Sequence, residues 1–385
     1  MGGSLTTGKI LITGATGFIG TRLCERLTLH YRLPFRALVR NFSRANRISR
    51  MNAEMVGGDL LAPDRIRASL DGCSSVVHLA HSEDKLAPRE TGNLLAACRA
   101  AGIKRFVHIS SMSVHGPHPE PSAASEATAT IGRYGEAYCD AKARTEQLAA
   151  RSGLPVVILR PTIVYGPYSP FVLAVAREAQ RGSLTLIDDG EWVCNAVYVD
   201  DVCDAIFAAL TIQAGIGRAF HITGDGEVTW RDFNLAFATA ANPNVRVSSV
   251  TSEDGYRHWH DSRPTLRGNI RSLARLCASP EFHKQLSKVP ALRTSISSMK
   301  RTLAQHLSEG QKSTLKARLQ QGAGRSSSVS IDWPNEGRLS RETCAVRFHN
   351  DLAKSVLGWK PAHDFSDGVR LTRQWMEFAR LTSPI

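Results

Sequence analysis

Short apolar runs recur along the first 225 residues, each closed by glycine, serine or a charged side chain. Lys9-Ile10-Leu11-Ile12 is apolar on both faces and reads as a fully buried strand. Phe35–Val39 predicts a second strand. A third stretch runs into Gly57-Gly58, and residues 75–80, 105–109 and 155–159 continue the series. Between these runs the period becomes helical. Leu23 and Leu27 open one helix, and residues 94–101 form an alanine-rich second one closed by Gly102. A third helix carries Tyr138 and Lys142 after a Pro/Ser/Ala-rich loop over 117–130. Strands alternating with helices at this spacing predict an α/β fold built on a parallel, doubly wound sheet.

The first strand leads straight into Thr13-Gly14-Ala15-Thr16-Gly17-Phe18-Ile19-Gly20. A strand, then G-x-x-G-x-x-G, then a helix is the layout of a dinucleotide-binding turn. The first glycines let the backbone turn tightly and approach a pyrophosphate, whose charge is met by the helix N-terminus. The last glycine allows the helix to pack closely on the sheet. Arg40 closes the second strand about twenty residues further on, where the adenosine ribose is read. An acid there accepts from a free 2′-hydroxyl, whereas Arg suits a 2′-phosphate, and Arg44 and Arg47 follow closely. NADP is therefore the favoured cofactor, with NAD as the alternative.

Tyr138 and Lys142 stand four apart, on one face of their helix. An ammonium held near a phenol stabilises the phenolate and lowers its pKa, so the pair predicts proton exchange near neutral pH. Composition changes little: 42% hydrophobic and 22% charged is an ordinary globular balance. No apolar run is long enough to span a bilayer, the N-terminus carries no signal-peptide pattern, and a cytoplasmic location is expected. Eight cysteines without a C-x-x-C pair suit reduced thiols. His258-Trp259-His260 has no second cluster at metal spacing, and no metal is expected.

Taken together, these motifs resemble the extended short-chain dehydrogenase/reductases, the NAD-dependent epimerase/dehydratase group. The resemblance is carried by Gly14/Gly17/Gly20, Asp59-Leu60, His78-Leu79-Ala80, Ser110-Ser111 and Tyr138/Lys142. It continues in Leu159-Arg160-Pro161, Val164-Tyr165-Gly166-Pro167, the stretch from Val197 to Val202, and Leu357-Gly358-Trp359-Lys360-Pro361. It implies a Rossmann-type domain over residues 1–165, with a return segment near 196–225, and a smaller, mainly helical substrate domain over 166–385. It implies an NAD(P)-dependent oxidoreductase that moves hydride between the nicotinamide and a ketone or secondary alcohol carbon. The alternative is a sugar or nucleotide-sugar epimerase or dehydratase that retains its cofactor.

Carried onto these positions, Tyr138 is the general acid/base, Lys142 tunes it and meets the nicotinamide ribose, and Ser111 hydrogen-bonds the reacting oxygen. The implied cofactor contacts are Gly14, Thr16, Gly17, Phe18, Ile19, Gly20, Arg40, Asp59, Leu60, Leu79, Ala80, Ser110, Tyr138, Lys142 and Pro161. Ser111, Tyr165 and Asn195 would face a small-molecule substrate, and a homodimer is compatible with the group. Departures from the pattern are specific. Residues 82–90 lack the group's Asn, Ile163 stands where nucleotide-sugar enzymes place an Asn, and Cys194 stands where they place an Arg. Asn195 ahead of Val-Tyr-Val-Asp-Asp resembles the reductase branch, the relatives of dihydroflavonol reductase.

The net charge of +13 is concentrated late in the chain. Between Arg257 and Arg325 there are fourteen Lys/Arg against three Asp/Glu. Ile296, Met299, Leu303 and Leu307 lie near helical spacing, so residues 255–335 predict a basic helical insertion with a solvated face. A lid drawing an anionic substrate is the competing expectation. Membrane contact is not expected, and few aromatic platforms argue against nucleic acid. If Arg40 pairs with a 2′-phosphate, Arg40→Asp weakens NADPH binding by about 2–3 kcal/mol and NADH far less. Titrating both cofactors against the variant checks this, and an equal loss for both excludes the pairing.

Overall fold

The computed structural model describes residues 8–51, 53–126, 132–262 and 332–382. The apolar runs become strands β1 (Lys9–Thr13), β2 (Phe35–Val39), β3 (Glu54–Gly57), β4 (Cys73–His78), β5 (Arg105–Ile109) and β6 (Val156–Pro161). The chain then lays down β7 (Ile163–Tyr165), β8 (Ser183–Ile187) and β9 (Ala196–Tyr198) before β10 (Ala219–Ile222) joins the sheet beside β6. Among the described residues this is a seven-stranded sheet in the order β10-β6-β5-β4-β1-β2-β3, parallel at every pairing. The order reverses between β1 and β4, so the crevice at their carboxyl ends is where a ligand binds in such folds. Smaller parallel pairs join β7 to β9, and β8 to β11 (Arg246–Val250).

Burial on both faces explains why the central strands read as continuous apolar runs. Ile10 and Ile12 enter the core shared with Leu23 and Ile206, whereas Leu11, between them, enters the core of Leu94, Leu95 and Phe106. Helix α1 (Phe18–Arg26) packs on one face, and α2 (Pro63–Ser69), α3 (Ala87–Ala100) and α4 (Ala137–Ala150) pack along the other. After α5 (Pro170–Gln180), helix α6 (Val199–Thr211) returns beside α1. There Arg22 grips Asp200 with both nitrogens, Nε to Oδ1 at 2.5 Å and Nη2 to Oδ2 at 2.7 Å.

Residues Met1–Gly255 and Pro334–Ile385 form one compact unit and Tyr256–Trp333 a second. Residues 166–255 and 334–385 therefore share a unit with the sheet. Asp201, 1% exposed, accepts from Ala362 N at 2.9 Å and pairs with His363 Nδ1 at 2.9 Å, while Trp359 Nε1 donates to the Asp201 carbonyl. Within the second unit His258 stacks on Trp333. The basic stretch expected to be helical falls mainly on residues 263–331, outside the described residues. Among the described residues no helix is long and apolar enough to cross a membrane.

Four histidines sit inside the sheet unit. His78 and His108 are register partners on β4 and β5, and His115 Nε2 meets His221 Nε2 at 3.0 Å. Burial holds all four neutral: His78 and His221 are pushed down to about 3, His115 to about 4, and His108 well below its ordinary value. On unfolding each returns toward 6.5, so the unfolded state binds more protons between those limits. Stability is then fully present above about pH 6.5 and lost as pH falls toward 4 and 3. Neither ring nitrogen of His108 has a hydrogen-bond partner. Urea midpoints measured across this range should fall with acidification, and His108→Leu should flatten the slope.

Candidate active site

The glycine turn closes on the end of β4. Gly14 has φ +73°, and a Cβ there would lie 2.7 Å from the Ala80 nitrogen and the Leu79 carbonyl carbon. A Cβ on Gly20 would collide with the Gly14 carbonyl oxygen. Gly17 is the N-cap of α1, in extended conformation and with no side chain occupying the helix N-terminus. The turn is clamped from below: Thr13 Oγ1 meets His78 Nδ1 at 2.7 Å, and Leu79 N donates to the Thr13 carbonyl at 3.1 Å. His78 Nε2 in turn reaches Thr91 Oγ1 at 3.1 Å. A backbone cradle that only glycine fits, facing open helix amides, suits a pyrophosphate. Thr16, within the turn, and Phe18 and Ile19, at the start of α1, are half-buried.

Around the adenosine end the predicted residues fare differently. Arg40 is exposed at the end of β2, its Nη1 3.9 Å from Glu90 Oε1, and Arg44 is exposed beside it. Arg47 is turned away, paired with Glu25 at 2.5 Å and stacked 3.8 Å over the Tyr168 ring. Asp59 accepts from Leu61 N at 2.8 Å, and the carbonyl of the buried Leu60 accepts from Asn93.

Helix α4 starts where Glu136 caps the Cys139 amide at 2.7 Å, and this sets its register against the sheet. Tyr138, Lys142 and Glu146 follow at four-residue steps along one face. Glu146 is the anchor. It accepts from Ser110 Oγ at 2.6 Å and from Arg160 Nη2 at 2.6 Å, with both side chains of the ion pair about 5% exposed. Lys142 is buried and donates to the Ile109 carbonyl at 3.1 Å. Ser111 caps the turn Met112–His115 by accepting from Ser113 N. Ser111, Tyr138 and Lys142 thus meet at the carboxyl end of β5.

The electrostatics differ from the expectation in one respect. Lys142 Nζ lies 5.9 Å from the Tyr138 ring centroid and is committed to a carbonyl. Burial pushes the Tyr138 phenol above its ordinary value, and the Ser111 hydroxyl pulls it partly back. The side chain nevertheless keeps 37% of its surface exposed. Burial also lowers Lys142 to about 8, against the opposing pull of Glu146 and Asp84. At neutral pH Tyr138 is therefore a protonated donor beside a lysine close to its own titration point.

Of two positions expected to face substrate, Tyr165 is turned into the core and Asn195 is buried in the wall of a cavity. Tyr165 is 2% exposed, ringed by Tyr198, Phe233 and Phe365, with its hydroxyl toward the Phe365 carbonyl. Its neighbour Gly368 is tolerated there only because it lacks a Cβ. Asn195 is 6% exposed, donating to the Val346 carbonyl and accepting from Phe348 N. That amide forms part of the wall of a cavity of about 270 Å³, with Val193, Cys194, Val228, Arg347 and Phe348. Phe348 stacks on His115 at 5.8 Å, which links the cavity wall to the Ser111 turn. Pro161 is buried at the end of β6.

A family model described as the NAD dependent epimerase/dehydratase family matches residues 10–223. The chain belongs to the NAD dependent epimerase/dehydratase family. Its members include NAD(P)-dependent reductases and epimerases, and this chain is an NAD(P)-dependent enzyme of that kind. It is similar to a 2-alkyl-3-oxoalkanoate reductase of Shewanella oneidensis, 27% identical over 61% of this chain and 66% of that one. The corresponding protein of Stenotrophomonas maltophilia is 29% identical over 65% and 80%. The fold is shared with a UDP-glucuronic acid 4-epimerase from Bacillus cereus, crystallised with UDP-glucuronic acid and NAD. It has TM-score 0.63 and 18% identity and covers 96% of this chain and 99% of that one.

Glu146 was missed by motif reading, although its place one turn past Lys142 on the same stripe was a usable signal. Glu146→Ala leaves the Arg160 guanidinium buried without its carboxylate and should cost about 3–5 kcal/mol. Replacing both by Met should recover most of that loss. Denaturant unfolding of the single and double variants measures both.

Proposed function

We propose that this family member is an NADP-preferring reductase of a ketone, running in reverse as a secondary-alcohol dehydrogenase, with Tyr138 as its acid/base. The observation that carries the proposal is the meeting of Ser111, Tyr138 and Lys142 beside the glycine cradle. When bound, the nicotinamide supplies or accepts the hydride. Ser111 offers its hydroxyl to the reacting oxygen where negative charge grows. Tyr138, kept protonated by burial, gives its proton to that oxygen, and Lys142 holds the charge balance beneath it. Exposed Arg40 and Arg44 support the 2′-phosphate preference.

The cavity wall that Phe348 shares bears on the substrate class. Val193, Cys194, Val228 and Phe348 are its apolar part, set beside Asn195, Thr223, Glu227, Thr229 and Arg347, with Arg347 paired to Glu227. Among these residues no positive charge is left unpaired for a nucleotide diphosphate, which supports a substrate with an apolar chain. The two bacterial relatives named for 2-alkyl-3-oxoalkanoate reduction point to a 3-oxo acid as the class to assay first. Tyr138→Phe should lower kcat for NADPH-dependent reduction of a 2-alkyl-3-oxoalkanoate by roughly 10²- to 10⁴-fold, with cofactor affinity unchanged. Activity within a few-fold of the parent would exclude Tyr138 as the proton donor.

A further inference from the structure

The loop from β4 to α3 brings one more pair of side chains against Tyr138. His81 sets its ring edge-on to the Tyr138 ring, centroids 5.2 Å apart and planes at 76°. Its Nε2 lies 2.8 Å from Asp84 Oδ1. The two residues between this pair are tied to the start of α3, by Ser82 Oγ donating to Glu90 at 2.6 Å and by Ala87 N donating to the Glu83 carbonyl at 2.9 Å. His81 is mostly shielded, 19% exposed, so its ring has little freedom to leave. An Asp acceptor at Nε2 puts the proton of a neutral imidazole there and leaves Nδ1 as an acceptor. Burial and the Lys142 charge hold His81 in that neutral form against the pull of Asp84 and Glu90.

We propose that His81, anchored by Asp84, is a positioning residue for Tyr138: the Asp84 carboxylate holds the imidazole in place, and the ring's edge-on contact fixes the phenol's orientation. Edge-to-face packing at this distance is the favoured aromatic geometry. Among the described residues, His81 and Lys142 both lie against the phenol ring, Lys142 Nζ 5.9 Å from its centroid. Burial is the main influence raising Tyr138 and the Ser111 hydroxyl the main one lowering it, and Cys139, Asp84 and Glu136 add smaller upward pulls. Asp84 and Glu146 both raise Lys142. Removing the Asp84 charge therefore moves Tyr138 and Lys142 in one direction, toward lower pH.

This inference rests on Tyr138 as the acid/base, so its test has one arm that needs no turnover. Phenolate absorbance is titrated for the full chain, for Asp84→Asn and for His81→Phe, each minus its Tyr138→Phe counterpart. Asn keeps an acceptor for His81 while removing the charge, so the Tyr138 midpoint should move acidward in Asp84→Asn. An unmoved midpoint overturns the placement of Asp84 against the His81–Tyr138 pair. The second arm follows NADPH-dependent reduction of a 2-alkyl-3-oxoalkanoate. His81→Ala should lower kcat roughly 10- to 100-fold with NADPH affinity unchanged. His81→Phe, which keeps an edge-on ring, should restore most of it. Parental kcat in His81→Ala, or no rescue by Phe, overturns the positioning role. If Tyr138→Phe is inactive while both loop variants match the parent, this inference alone fails. If Tyr138→Phe is active, the acid/base assignment fails, and the phenolate titration still decides the role of Asp84.

Discussion

The candidate site depends on one carboxylate. Glu146, on α4, takes the Arg160 guanidinium from β6 and the Ser110 hydroxyl from the end of β5. Two strands and a helix are thereby pinned at a single point, two turns from Tyr138. A buried ion pair of this kind adds little net stability over an apolar pair, yet it admits only one register. Lys142, between Tyr138 and Glu146 on the same stripe, inherits that register and donates to the Ile109 carbonyl.

The same carboxylate shapes the chemistry. Burial favours loss of the Lys142 proton, and Glu146 is the largest influence opposing that loss. Burial acts on the phenol in the opposite sense and keeps it protonated. Burial thus drives the two groups apart in proton affinity: the phenol is raised above its ordinary value while the lysine falls to about 8, so at neutral pH the phenol is the more firmly protonated of the two.

Much of the architecture was legible because burial on both faces of a strand demands an uninterrupted apolar run. β2 and β5 fall on the residues where the pattern predicted them. The glycine turn was legible for a related reason, since close backbone approach excludes any Cβ at Gly14 and Gly20. Side-chain direction was not legible. Tyr165 and Asn195 match motif positions, but whether such a residue meets a ligand or a core depends on segments more than 150 residues away, Phe365 and Val346–Phe348. His81 escaped notice because its contact with Tyr138 crosses from one loop to another helix. The raised phenol was hidden too, because spacing reports proximity to Lys142 and not depth of burial.

The carboxylate of Asp201 has a consequence for biosynthesis. Its backbone donor at Ala362 is 161 residues further along the chain. During translation α6 emerges long before that donor exists, and a carboxylate cannot be sealed into an apolar layer unpartnered without a large desolvation cost. The groups that satisfy Asp201 therefore exist only once Trp359, Ala362 and His363 have been made. A chain cut before them would have to keep that carboxylate in water, and the apolar layer around α6 could not close over it.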